Sequence, residues 1–440
     1  MANTSFIQSL VKNRPVVQLF LCGYFSCVAL GWLVLQLPFC QKKFVSGIDV
    51  LFTAASAVST TGLTTVDIGK TFSFPGQLVL LLLIQLGGIG YMIFSSFLIL
   101  NLTKKTSKLR SIEPAFLLSS DLSITELAKQ IITYTAICEI SGLILLVFYF
   151  RSEGIDSALW NALFHSVSAF CTAGFSPFSS NLEGYKNHLG INTIISLLSL
   201  LGAFGFFLWM GFFKRIMNQK MLIGLATRIM KPFATVAIII GGFLFLLMTT
   251  FPTESSKLQK LTISFFQAIS TITTTGFNTV DIRAFPLSLH LLIIILMLLG
   301  VSLTGNGKDM RGTSFTTLLK LMANTLRNKE TNSLWSRKVL FKRTTLAFST
   351  FAAYFLVLLI CALLLSLIEK QPFFLLFFET TSALCTVGLS MGITPELSAL
   401  GKSIIALFML IGRIGIFIIG FAASTRAISW DRKRNQELVF

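Results

Sequence analysis

The chain has 440 residues, of which 54% are hydrophobic and 12% charged, and its mean hydropathy is +0.79. These values exclude an ordinary water-soluble domain and indicate a polytopic membrane protein. A net charge of +18 would suit a nucleic-acid binder, but the basic residues are distributed as membrane topology requires, so nucleic acid is not expected as a partner.

A helix crossing a hydrocarbon core of about 30 Å needs roughly 20 apolar residues. Eight stretches meet that length in chain order: 16–38, 74–100, 129–150, 189–213, 232–251, 286–303, 345–368 and 402–423. The first is longer than a signal-peptide core and lacks a persuasive cleavage site, so it is read as a retained span. Of the 36 Lys and Arg residues, 25 fall in the N-terminus, the connections 102–129, 212–231 and 308–343, and the C-terminal tail. The alternate connections hold 10, and one, Arg413, lies inside a span. By the positive-inside rule both termini are expected in the cytoplasm. Seven cysteines without a C-x-x-C pair, and three scattered histidines, His165, His188 and His290, indicate neither a disulfide framework nor a metal cluster.

The connections after the odd-numbered spans share one pattern. "FTAASAVSTTGL" ends at Leu63, "FHSVSAFCTAGF" at Phe175, "FQAISTITTTGF" at Phe277 and "FETTSALCTVGL" at Leu389. In each, a phenylalanine (Phe52, Phe164, Phe266, Phe378) stands ten residues before a glycine (Gly62, Gly174, Gly276, Gly388), and a serine (Ser56, Ser168, Ser270, Ser382) four residues after the phenylalanine. The repeats so defined span 1–103, 104–216, 217–330 and 331–440. A segment of this length is too short to cross and reads as a re-entrant half-helix followed by an extended stretch. Such backbone at membrane depth must be buried in protein or line a watery cavity. The expected fold is therefore an all-α polytopic membrane protein of four fused helix–pore-helix–helix repeats. It has eight transmembrane helices and four re-entrant pore loops around a pseudo-fourfold central pore.

Extended T-x-G segments present backbone carbonyls, and such oxygens can replace the water shell of an alkali cation. Glycine permits the positive φ that turns a carbonyl inward, and the half-helices would aim their partly negative C-terminal ends at the centre. The candidate selectivity filter is Ser59, Thr60, Thr61, Gly62 and Leu63; Cys171, Thr172, Ala173, Gly174 and Phe175; Thr273, Thr274, Thr275, Gly276 and Phe277; and Cys385, Thr386, Val387, Gly388 and Leu389. Asp67 and Asp281, just beyond two of these loops, either enrich cations at the outer mouth or cap local turns. Gly87, Gly88, Gly90, Gly202 and Gly205 sit at span level and suit close helix packing better than a hinge. His165 is the only candidate base at membrane depth, and packing is the simpler role for it. The "IGKT" at residues 68–71 lacks the first glycine of a phosphate-binding loop.

With four copies in register, and "FMLIGRIG" in the last span, the chain resembles the Trk/Ktr/HKT superfamily of potassium transporters over essentially its whole length. In its compact size it is most similar to the KtrB-type membrane subunits of Ktr systems. The resemblance implies that potassium ion is the substrate, held at the filter, and that glycine in all four loops goes with potassium preference. Sodium ion remains as an alternative permeant species and as an activator. In the family an arginine at the place of Arg413 projects near the pore beneath the filter, which makes Arg413 an electrostatic barrier or gate partner. A structural salt bridge to Glu379 or Glu139 is the competing reading. "GVSLTGNGKDMRGTSF", residues 300–315, matches the position of the family's intramembrane gating loop. It would assign gating to Gly300, Ser302, Thr304, Gly305, Gly307, Lys308 and Arg311, although Lys308 and Asp309 replace glycines; a plain helix end and cytoplasmic turn is the alternative. The family further implies a bacterial inner-membrane homodimer resting on a cytosolic nucleotide-binding regulatory ring of the KtrA/TrkA kind. The chain itself would then bind no cofactor, and nucleotide would act only through that partner. The basic segment 308–343 and the tail would dock the regulator or contact membrane lipids. No enzymatic activity is expected. A membrane potential of roughly 150 mV supplies about 3.5 kcal/mol per charge, enough for a few-hundredfold accumulation without chemical coupling.

Overall fold

The computed structural model describes residues 16–90, 124–216, 225–248, 256–300, 333–334, 337–338 and 341–415. Within them, long helix, short helix, extended segment and return helix follow one another four times. The first set is α1 (Val16–Leu35), α2 (Gly47–Ser59) and α3 (Phe74–Gln85). The second is α4 (Ile124–Ser152), α5 (Ala158–Phe170) and α6 (Leu189–Ile216). The third is α7 (Leu225–Met248), α8 (Lys257–Ile272) and α9 (Leu287–Leu299). The fourth is α10 (Phe341–Ile368), α11 (Phe373–Leu384) and α12 (Ala399–Ile414). A two-residue antiparallel ladder joins Ser333–Leu334 to Arg337–Lys338.

Local chemistry explains where these helices start. Ser46, Ser73 and Ser398 accept from the backbone N–H three residues on, at the first turns of α2, α3 and α12. Ser256 and Gln259 form a reciprocal capping box on α8. Two return helices stop earlier than the apolar runs suggest. The run 286–303 gives a helix ending at Leu299, and the run 402–423 one ending at Ile414. The following glycines leave helical geometry, with φ of 7° at Gly300 and 87° at Gly415. In α3 the helix passes into a wider π turn over Leu86–Gly90.

The recurring Phe52, Phe164, Phe266 and Phe378 are all buried and stand at the heart of their units. Large apolar side chains also face outward. Phe148 on α4 is 70% exposed and Leu367 on α10 is 82% exposed. Residues 128–152 and 351–368 are, among the described residues, long and apolar enough to cross a bilayer by themselves. An outward apolar belt over a packed interior is what hydrocarbon solvent selects.

Candidate functional site

Each short helix ends in the same way. At the end of α2 the Thr60 N–H returns to the Ala57 carbonyl (3.1 Å) and the Thr61 N–H to the Ser56 carbonyl (2.9 Å). The other three copies repeat both bonds, with Thr172 and Ala173, Thr274 and Thr275, and Thr386 and Val387. This pair of bonds is the Schellman ending, whose left-handed position normally carries glycine. Here it carries threonine. Thr60, Thr172, Thr274 and Thr386 have φ from 48° to 56°, a conformation costing roughly 1–2 kcal/mol at each non-glycine residue. Four matching outliers on one feature make this segment a candidate functional site.

Two residues later come the glycines, with φ of 93°, 67°, 83° and 93° at Gly62, Gly174, Gly276 and Gly388. Their surroundings show how the four segments meet. A Cβ built on Gly62 would overlap the carbonyl oxygen of Ala173, and one on Gly174 that of Thr275. On Gly276 it would overlap the carbonyl of Val387, and on Gly388 that of Thr61. The approaches run from the first segment to the second, third and fourth and back to the first, so the four extended segments form a closed ring. The short helices end at this ring, bringing four C-terminal, partly negative helix ends to its base.

The recurrent serine anchors the ring. Its carbonyl closes the helix ending in every copy. Its hydroxyl accepts the glycine N–H at Ser56 (3.1 Å) and Ser382 (3.0 Å), and donates to the Phe277 carbonyl at Ser270 (2.6 Å). The Ser168 hydroxyl is buried without a hydrogen-bond partner among the described residues. Hydroxyl pairs behind the glycines join Ser59 to Thr61 (2.7 Å) and Thr273 to Thr275 (2.8 Å). The second and fourth segments have Cys171 with Ala173 and Cys385 with Val387 at these places. The ring is fourfold in backbone and twofold in side chains.

The slot after each recurrent phenylalanine braces the outgoing chain in three copies. His165 donates from Nδ1 to the Asn161 carbonyl (2.7 Å), so its Nε2 accepts from the Ser176 hydroxyl (2.9 Å). Gln267 bonds to Thr279 (3.3 Å), and Glu379 to Ser390, Met391 and Thr394. His165 also lies among the rings of Phe150, Phe178 and Phe277.

Each return helix meets the ring through a glycine fourteen residues after the residue preceding that helix: Gly87, Gly202, Gly300 and Gly412. Gly87 lies against the carbonyl of Val58 and the Thr60 methyl, and Gly202 against the Phe170 carbonyl. Gly300 lies against the Thr274 methyl, and Gly412 against the Leu384 carbonyl and the Thr386 methyl. Gly88 packs on Cys171. These contacts are close packing; at Gly87, Gly202 and Gly412 an added Cβ would overlap a backbone carbonyl, so only glycine fits there, while Gly300 and Gly88 are tight against side-chain atoms. Arg413, next to Gly412 and buried, donates from Nη2 to the Gly87 carbonyl (2.5 Å) in the π turn. The carboxylates of Glu139 and Glu379 are engaged elsewhere. Glu139 accepts from Gln85 at both oxygens (2.9 and 3.0 Å).

Asp67 and Asp281 cap local turns. Asp67 accepts from the Lys70 N–H (3.1 Å) at the single helical turn Ile68–Thr71, and Asp281 from the Arg283 N–H (2.9 Å). Ser302, Thr304, Gly305, Gly307, Lys308 and Arg311 lie outside the described residues.

Residues 32–430 match the family model described as TrkH, cation transport protein. The chain belongs to this family. This TrkH-family chain is 32% identical over 425 residues to the Ktr system potassium uptake protein B of Bacillus subtilis, covering 93% of this chain and 94% of the relative. It is 30% identical to the Ktr system potassium uptake protein B of Vibrio alginolyticus, covering 92% and 90%. To the potassium/sodium uptake protein NtpJ of Enterococcus hirae it is 28% identical, covering 94% of each. Among solved structures, the potassium transporter TrkH from Vibrio parahaemolyticus matches with a TM-score of 0.68 at 21% identity, covering 91% of this chain and 84% of that one. The resemblance read from the four motifs is thus borne out at the level of the family and its helical membrane fold.

Proposed function

We propose that this TrkH-family chain is a channel-like potassium uptake subunit, in which the ring of four extended segments is a selectivity filter. The observation carrying the proposal is the closed cycle of glycine-to-carbonyl approaches from Gly62 through Gly174, Gly276 and Gly388. Four equivalent backbone segments offer carbonyl oxygens in the number and arrangement that suit a dehydrated alkali cation. The buried Thr60 hydroxyl, without a hydrogen-bond partner among the described residues, is a further ligand at the inner end. Membrane potential drives entry, and no phosphate-binding loop or metal is required. Potassium as substrate is supported by the names of the Ktr relatives.

Gating is assigned to Arg413 and, on the family resemblance, to residues 300–315, of which 301–315 lie outside the described residues. The bond from Arg413 to Gly87 joins the last return helix to the first, so a change in either reaches the opposite end of the chain. In the cell the chain is a homodimer with both termini cytoplasmic, working with a cytosolic nucleotide-binding partner; the word "system" in the relatives' names supports a second component. A sodium-permeable mode is the second reading, favoured by the relative named for potassium and sodium.

The test is flux of potassium, rubidium and sodium into liposomes holding only the purified chain, under an inside-negative voltage. Saturable flux preferring potassium and rubidium is the expected result. Equal sodium flux selects the second reading. Absence of voltage-driven flux, persisting after a cytosolic partner is added, refutes the channel-like mechanism.

A further inference from the structure

We propose that Glu379 and Arg283 are positioning residues for the fourth filter loop: from two different repeats they grip the N–H and the C=O of Met391, in the two peptide groups flanking its Cα, and so fix where the loop's carbonyls stand in the ring. This rests on the reading of the ring as a filter. Glu379 is completely buried on α11, directly after Phe378. Its Oε1 accepts from the Met391 N–H (3.0 Å) and the Ser390 hydroxyl, and its Oε2 from the Thr394 hydroxyl (2.9 Å). Ser390 in turn accepts from the Gly392 N–H (2.7 Å). On the C-terminal side of the same residue, Arg283 donates from Nε to the Met391 carbonyl, and its Nη2 lies 3.8 Å from Glu396. The guanidinium lies flat against Gly392, where a Cβ would collide with it and where φ is 77°.

Arg283 follows the third loop and Met391 the fourth, so the clamp crosses a seam between repeats. Met391 is three residues beyond Gly388, and the Val387 carbonyl is the one on which Gly276 closes. The anion takes the N–H of one peptide group and the cation the C=O of the next, so Met391 is held on both sides of its Cα by charge-assisted bonds, the stronger class. The corresponding braces in the second and third copies, His165 to Ser176 and Gln267 to Thr279, are neutral. A buried carboxylate carries a larger desolvation penalty than those, so stability alone does not account for it.

The experiment measures the potassium-to-sodium permeability ratio and the flux per inserted protein, using the full chain in liposomes. The variants are Glu379→Gln, Arg283→Gln, the double variant and Gly62→Ser. Each clamp variant is expected to lower the ratio by about threefold or more, and the double variant no further than the worse single, because both hold one residue, Met391. Single effects that multiply in the double variant overturn the shared clamp. The Arg283 side chain is half exposed (51%), so Arg283→Gln decides the matter even if Glu379→Gln fails to reach the membrane. An unmoved ratio in Arg283→Gln, with Gly62→Ser shifted, refutes the clamp alone. A ratio unmoved by Gly62→Ser as well overturns the filter reading and the clamp with it.

Discussion

Gly62→Ser tests the ring most directly, because its geometry names both the damage and the segment that receives it. A side chain at Gly62 must accept φ of 93°, which costs on the order of 1–3 kcal/mol. Its Cβ would overlap the Ala173 oxygen and lie 3.3 Å from the Ala173 carbonyl carbon and 3.4 Å from Gly174 Cα. All three neighbours are backbone, so no flexible side-chain tip can yield. Relief requires turning the second segment's carbonyl, and that removes one ligand from the ring. If the loss weakens potassium relative to sodium by about 1.4 kcal/mol, the permeability ratio falls about tenfold. The assay is the reversal potential with potassium on one side of the membrane and sodium on the other. Gly154 supplies the control, since it has φ of 68° and nothing within 4 Å of an added Cβ. Gly154→Ser therefore carries the backbone strain without the collision and should leave the ratio unchanged. Normal insertion with an unaltered ratio in Gly62→Ser refutes the reasoning.

Arg413→Gln removes the charge beside the ring and weakens the bond to the Gly87 carbonyl; the expected result is altered conduction or gating at unchanged protein level, measured as flux per inserted chain, and loss of the protein from the membrane would instead assign the residue a structural role. Lys402→Met breaks the 2.8 Å ion pair with Asp49, whose partners are only 12% and 17% exposed. It should lower thermal stability by about 1–3 kcal/mol, an unpaired buried charge being the cause, while the permeability ratio stays constant; an unchanged melting temperature refutes this. Ser382→Ala removes the acceptor of the Gly388 N–H and should lower the permeability ratio more than it lowers stability. Phe44 is 96% exposed in the connection after α1, which the positive-inside rule assigns to the outside, so Phe44→Cys should react with a membrane-impermeant thiol reagent added outside intact cells, and labelling only after lysis would reverse the assigned topology.

The parts visible in the sequence were those that four copies repeat with one residue type. The phenylalanine, serine and glycine of each motif returned as core, anchor and ring because each has one physical task that other residue types perform poorly. What stayed hidden was conformational. A sequence reader looks for glycine at the left-handed end of a helix, yet here threonine occupies that position and the glycine comes two residues later; the invariant threonine two places before each glycine was the available signal. The braces at His165, Gln267 and Glu379 were obscured by their different chemistries, since only their common offset from phenylalanine unites them. The partner of Arg413 was hidden for another reason. A buried cation suggests a carboxylate, and the π turn adds a backbone carbonyl that no charge pattern announces. The capping role of Asp67 and Asp281 was one of two readings open to an acid before a short turn; their hydrogen bonds show the capping and are compatible with cation enrichment as well.

The return-helix glycines fix a length as well as a contact. Fourteen residues of helix rise about 21 Å, and that interval is the same in all four copies, from Ser73 to Gly87, His188 to Gly202, Pro286 to Gly300 and Ser398 to Gly412. The strands of chain joining the ring to those helices are unequal, at 11, 14, 10 and 10 residues from ring glycine to helix start. One residue added within the helical interval would swing its glycine about 100° around the helix and move it 1.5 Å along, setting a bulky neighbour against the end of the short helix. One residue added in the outer strand would only lengthen a surface excursion. Insertions and deletions are therefore expected to be tolerated in the segments between ring and helix and not within the helical interval, and the distance of the ring from the starts of its return helices is held by counting.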